Sequence, residues 1–153
     1  MATAALLEGY RVVDLSVAAA GPLATAILAD QGADVVKVES PAGDFMRTIG
    51  TVRNGVSAVF ASLNRSKRSL CVDLKRPEGV DVLHRLVATS DVVVHNLRPG
   101  VAERLGAGYD DLRAHRPDLV YCAITGWGEQ GPSIQRPAYD SVVQAASGWA
   151  VRD

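Results

Sequence analysis

Few of the usual functional signatures are present, and each absence narrows what this chain can do. Two cysteines, Cys71 and Cys122, are too few for a disulfide scaffold. No metal-ligand spacing surrounds either one, so no metal site is expected. Both fall inside expected strands and are read as buried thiols. Neither sign of charge prevails: 16 Lys+Arg stand against 17 Asp+Glu, a formal net charge of -1. A broad nucleic-acid or anionic-membrane surface is therefore not expected, and any cationic site must be local. No apolar run approaches the roughly 20 residues that cross a bilayer. The apolar residues of 1–9 lack a basic segment ahead of them, so they do not resemble a secretion signal, and the expected location is the cytoplasm.

What is present is the make-up of one ordinary α/β domain, with 153 residues, 48% hydrophobic and 22% charged. Short β-prone runs at residues 10–15, 34–39, 69–73, 91–95 and 119–124 alternate with helical patterns. The first helix opens near Pro22, carries Leu23, Ile27 and Leu28 as its apolar face and stops at Gly32. The clearest helix opens at Pro77 and places Val80, Leu83, Leu86 and Val87 on one side. Shorter helical pieces are expected at 58–63, 101–105, 109–115 and from Tyr139 to Gly148. Residues 40–57 show no period and are expected to form a long loop. Strand–helix alternation of this kind predicts a doubly wound, Rossmann-like parallel sheet with flanking helices.

Three strand-to-helix transitions carry cations: Lys75 and Arg76 after the third strand, Arg98 and Arg104 after the fourth, Arg136 after the fifth. Ligands of open α/β sheets bind outside the carboxyl ends of the strands, so these side chains predict a shared anion site, with backbone N–H groups at helix starts adding to the field. The basic residues Arg65, Lys67 and Arg68 precede their strand and are expected at its opposite end. Glu39 closes the second strand roughly where a dinucleotide fold places its ribose-binding acid. The first loop has only Gly21 and no G-x-G-x-x-G, which argues against NAD. The glycines at 126, 128 and 131 are not followed by Lys-Ser/Thr and make no P-loop. His84 and His115 are expected at the surface, and His95 in a satisfied structural role. Asp140 is expected either as a ligand contact or as a helix cap. No Ser–His–Asp or Cys–His set can be assembled.

Five stretches in order then resemble one family. They are Gly21-Pro22 with Leu28-Ala-Asp-Gln-Gly-Ala-Asp-Val-Val-Lys-Val-Glu39; residues 64–79; Asp91-Val-Val-Val-His-Asn-Leu-Arg-Pro-Gly100; Thr125-Gly-Trp-Gly; and Pro137-Ala-Tyr-Asp140 through Ser147-Gly148. Together they are similar to the start of the family III CoA-transferases (CaiB/BaiF type), the group of formyl-CoA and carnitine CoA-transferases and α-methylacyl-CoA racemase. The resemblance implies that residues 1–153 are the CoA-binding N-terminal portion of the family's large domain, with the rest of that domain and the small domain absent. It implies coenzyme A or acyl-CoA as substrate, a carboxylic acid as the other, and an interlocked homodimer. Val72, Asp73, Leu74 and Lys75 would line CoA, Asn96, Leu97, Arg98 and Arg104 would surround its nucleotide part, and Tyr139 would lie beside the reacting thioester.

The family's chemistry runs through an aspartate. Its carboxylate attacks the acyl-CoA thioester, becomes an aspartyl-CoA thioester and passes CoA to the acceptor acid. That aspartate is expected beyond Asp153, so no catalytic residue is assigned within this chain, and Asp140 and Asp153 are not substitutes. Ala19 stands where formyl-CoA transferase has a glutamine, and Ser40 where several members hold adenine with an arginine. The racemases carry His where this chain has Tyr139, which favours the transferase reading over an isomerase. A non-catalytic CoA-binding half that pairs with another chain is the further alternative.

Overall fold

The computed structural model describes residues 5–150; Asp153 and the first four residues of the apolar N-terminus lie outside that range. Five parallel strands form the central sheet: β1 (Arg11–Asp14), β2 (Asp34–Glu39), β5 (Arg68–Cys71), β6 (Val92–His95) and β7 (Val120–Ala123), in the order β5-β2-β1-β6-β7. The predicted α/β architecture is observed. From β1 the chain steps outward to β2 and β5, then returns across the sheet to β6 and β7. Strand order therefore reverses between β1 and β6, and a crevice opens there at the carboxyl ends.

Helix α1 (Ala20–Asp30) covers one face of the sheet; α3 (Pro77–Val87), α4 (Val101–Arg104) and α5 (Tyr109–Arg113) cover the other. On the α3 side Val13, Leu15, Val36, Val38, Val93, Leu83, Val87 and Leu112 form the larger core. On the α1 side Val12, Val35, Val94, Ala29 and Ala33 form a smaller one. The strand sequences alternate between the two cores because successive side chains point to opposite faces.

Helix α1 corrects one expectation. Its buried stripe is Pro22, Thr25, Ala26 and Ala29, while Leu23 and Ile27 are exposed. Small side chains at i, i+3, i+4 and i+7 let the helix sit close to the strands, and the larger aliphatics are left outside. The cysteines are a second correction, since both are exposed. Cys71 and Cys122 lie on the two edge strands, β5 and β7, where α1 does not reach across to cover them.

Residues 40–57 also hold more structure than their sequence suggested. A 3₁₀ turn (Phe45–Thr48) leads into a hairpin of β3 (Val52–Arg53) and β4 (Val56–Ser57), and α2 (Ala58–Leu63) follows, with Ser57 Oγ accepting the Phe60 N–H. Helix α3 enters by a tight turn: a Cβ on Gly79 would stand 2.1 Å from the Asp73 carbonyl oxygen, so only glycine fits. The last helix, α6 (Asp140–Ser147), buries none of its residues. Its N-cap is Tyr139, and Asp140 accepts from Gln144 Nε2 instead of capping.

Candidate functional site

A cleft of about 200 Å³ opens at the carboxyl ends of the strands. Leu15 and Val17 follow β1, Val38 to Ser40 end β2, and Val72, Asp73, Leu74 and Lys75 form the turn between β5 and α3. Leu97 after β6, Leu105 after α4, and Gly43 and Asp44 complete the wall. The apolar slot is rimmed by a few polar groups, the usual make-up of a small-molecule site. A larger, more open groove along α3, closed on its other side by His115, lies away from the strand ends.

Of the residues expected around a ligand, Val72, Asp73, Leu74, Lys75 and Leu97 line the cleft. Asp73 Oδ1 accepts the Lys75 N–H at 3.0 Å, which folds the turn back on itself. Asn96 is not in the lining. Its Oδ1 accepts the Val17 N–H at 2.8 Å and its Nδ2 donates to the Val17 carbonyl at 2.7 Å. Arg98 and Arg104 are exposed and outside the lining, each next in sequence to a lining residue, Leu97 or Leu105, and Tyr139 and Arg136 lie in the exposed segment after β7. Arg76 faces Glu78. Among the described residues, Lys75, Arg98, Arg104 and Arg136 have no carboxylate partner. No group of three or more His, Cys, Asp or Glu side chains among those residues could hold a metal ion.

Behind the cleft lies a buried ionic cluster that sequence reasoning missed. Asp14 is fully buried and accepts from the Ser16 N–H and hydroxyl, from Thr25 Oγ1 at 2.7 Å and from Lys67 Nζ at 2.9 Å. Lys67 Nζ also donates to the Pro22 carbonyl and to Asn64 Oδ1, so its three N–H groups have three acceptors. Lys37 Nζ donates to the Ser16 carbonyl at 2.8 Å and stands 3.3 Å from Asp44 Oδ2. Burial works against the charged form of Asp14, but the ammonium groups of Lys67 and Lys37 outweigh it and hold the carboxyl below its ordinary range. Arg65 and Arg68 do sit at the far end of the sheet, on Asp30 and Asp34. Lys67, expected there with them, instead runs inward beneath α1. The available signal was a charge inside each of two β-prone runs, Asp14 after Val12-Val13 and Lys37 between Val36 and Val38. Opposite charges at those positions of paired strands face each other.

Glu39 is likewise engaged within the chain. Its Oε1 accepts from the Asp44 N–H and Arg47 Nε, and its Oε2 pairs with Arg47 Nη2. Burial raises the Glu39 carboxyl, and Arg47 more than reverses that. Both acceptor oxygens are thus used in tying the 40–57 excursion to β2, with Arg47 stacked on Phe60. His95 is only half satisfied. Its Nδ1 accepts the Leu97 N–H at 3.2 Å, while the buried Nε2 has no partner among the described residues, and burial pushes its pKa down. His84 is partly buried rather than a free surface group, held on the Gly106 carbonyl and stacked on His115.

Residues 7–152 match CoA-transferase family III. The human succinyl-CoA:glutarate CoA-transferase is 46% identical over 144 residues, covering 93% of this chain and 33% of that protein. Succinate–glutarate CoA-transferase of Agrobacterium fabrum is 43% identical over 151 residues, 94% of this chain and 38% of the relative. A crystal structure of a variant of Rv3272 from Mycobacterium tuberculosis superposes with a TM-score of 0.90 at 42% identity, covering 98% of this chain and 41% of that one. The chain thus spans about a third of the length of the curated relatives it matches.

Proposed function

This chain belongs to CoA-transferase family III, and we propose that it is the CoA-binding N-terminal portion of an enzyme that moves CoA between an acyl-CoA and a carboxylic acid. The observation that carries this reading is the cleft at the strand-order reversal, apolar within and bearing on its rim a lysine, Lys75, with no carboxylate partner among the described residues. Lys75, with Arg98 and Arg104 outside the lining, supplies the positive field for CoA phosphates; Val72, Leu74 and Leu97 supply apolar contact. Both curated relatives above are named for succinate or succinyl-CoA and glutarate, so a short dicarboxylic acid is the acceptor class we assign. The complete enzyme would act as a cytoplasmic homodimer.

In the reaction, a carboxylate oxygen attacks the thioester carbonyl and the CoA thiolate leaves, giving a mixed anhydride. The thiolate then attacks the aspartyl carbonyl and the donor acid departs as a carboxylate. Attack on the aspartyl thioester by the acceptor acid, and return of the thiolate to the acceptor's carbonyl, complete the exchange. The residues of this chain bind and orient CoA; the attacking aspartate is expected after residue 153. Calorimetric titration with CoA tests the binding. Lys75→Ala and Arg104→Ala should each weaken affinity about fivefold or more, the scale of one charge-assisted contact. Unchanged titrations for both variants would remove the site. A CoA-exchange assay on residues 1–153 should show no turnover, and clear turnover would place the nucleophile within them.

A further inference from the structure

We propose that Asn96 is a positioning residue, which holds the wall of the cleft in shape instead of touching the ligand; the inference rests on the CoA reading of that cleft. Asn96 follows β6 and Val17 follows β1, the two strands between which the strand order reverses. Their amides pair at two points, Val17 N–H to Oδ1 and Nδ2 to the Val17 carbonyl, across 79 residues of sequence. Val17 and Leu97 line the cleft on either side of this clasp and Asn96 does not.

The clasp has something to hold. Ala18, next in the chain, has φ of +66°, a left-handed conformation that an alanine adopts only when its surroundings impose it. Its N–H points toward Asp44 Oδ1 at 3.4 Å, a long contact that fixes it weakly. On the other side, the Ser16 N–H is tied to Asp14 and the Ser16 carbonyl to Lys37. The turn is therefore anchored before Val17 by the buried ions, at Val17 by Asn96, and after Ala18 by the first helical bond of α1, from the Leu23 N–H to the Ala19 carbonyl at 2.8 Å, which leaves Ala18 as the strained link between fixed ends. Releasing Val17 lets Ala18 relax and carries the Val17 side chain away from its place in the wall.

Hydrogen–deuterium exchange of the 16–19 segment, read beside CoA titration, tests this on the chain, Asn96→Ala, Asn96→Asp and Lys75→Ala. For Asn96→Ala, loss of two hydrogen bonds should speed exchange at Val17 and Ala18 by about tenfold or more and weaken CoA about fivefold, with β1 and β6 amides still protected. Asn96→Asp keeps the acceptor and loses the donor, and should fall between; it carries the test if Asn96→Ala does not fold. Lys75→Ala should weaken CoA and leave exchange unchanged. Weaker CoA binding by Asn96→Ala with unaltered exchange would make Asn96 a direct contact and overturn the proposal. Faster exchange with unaltered affinity would make the clasp purely structural and overturn it as well. If the unsubstituted chain binds no CoA, the reading of the cleft falls and this inference with it; an effect lost only at Asn96 while Lys75→Ala behaves as expected sinks the inference alone.

Discussion

Replacing Lys67 by methionine probes the ionic cluster behind the cleft most directly. The two side chains are close in volume, so the change removes a charge and three donated hydrogen bonds with little change in packing. Asp14, fully buried, would keep Ser16 and Thr25 but lose the cation 2.9 Å away. Breaking a buried pair from one side costs about 3–5 kcal/mol because the remaining charge loses its nearest partner, here with Lys37 left to compensate in part. That is a large part of the roughly 5–15 kcal/mol of a domain's total stability. With a urea dependence of about 2 kcal/mol/M, the midpoint should fall by about 2 M. The pH response should change sign. In the unsubstituted chain the folded carboxyl lies below its unfolded value of 3.8, so its contribution is complete above that pH and fades as pH falls through the lower folded value. In Lys67→Met burial, the largest influence on this carboxyl, is opposed by Lys37 and Ser16 without Lys67, and the folded carboxyl should rise. The folded state then binds its proton first, and the deficit against the unsubstituted chain shrinks as pH falls from neutrality through the raised value. Urea melts at pH 7 and pH 5 read both effects, and Asp14→Asn with Lys67→Met closes a cycle whose coupling should reach about 2 kcal/mol. A loss below about 1 kcal/mol, or additive single effects, would show that the pair does not hold the fold as argued.

Three other perturbations follow from positions described above. Gly79→Ala drives a methyl into the Asp73 carbonyl and should cost more than about 2 kcal/mol in chemical melts, with the Val72–Lys75 turn displaced; a neutral result would mean that the turn can open freely. Ala18→Gly should leave stability unchanged or raise it by up to about 1 kcal/mol, because glycine accepts the left-handed φ at no steric cost; clear destabilisation would show that Ala18 is not strained. His95 has its pKa pushed below 6.5 by burial, so the unfolded chain takes up its proton first and stability should fall as pH drops below about 6.5. His95→Gln should flatten that part of the pH profile, and an unchanged slope would assign the acid sensitivity elsewhere.

The strands and long helices were legible because their periods are strong: five β-prone runs became five parallel strands, and the Val80–Val87 pattern became α3. Burial was less legible. Cys71 and Cys122 lie in strands, as expected, but exposure depends on which strands end up at the sheet edges, and that follows from long-range order. The α1 face was misjudged because hydrophobicity singled out Leu23 and Ile27, whereas close packing against strands selects Pro22, Thr25, Ala26 and Ala29. The hairpin at 52–57 gave no signal because two-residue strands are too short to show an alternation. At the site, cations drew attention to the turn after β5, and of that pair Lys75 lines the cleft while Arg76 faces Glu78. The job of Asn96 was hidden, because its partner is a backbone 79 residues away and no side-chain pattern announces a backbone acceptor. Lys37 and Asp14 were visible as charges in apolar runs, but only their pairing across strands gives those charges a meaning.

The strand order has a consequence for how the chain comes off the ribosome. The middle of the sheet is made first: β1 emerges with α1 and β2 and can pair with β2 at once. Its other neighbour is β6, where Val12 lies opposite Val92, about 80 residues later. At synthesis rates of about 5–20 residues per second, one side of β1 waits roughly 4–16 s for its partner. Throughout that interval the central strand of the finished sheet, with Val12 and Val13 buried in the end, presents an open apolar edge to the cell. Slowing translation before residue 92 should therefore lower the soluble yield, and a chaperone that covers β1 during the wait should restore it.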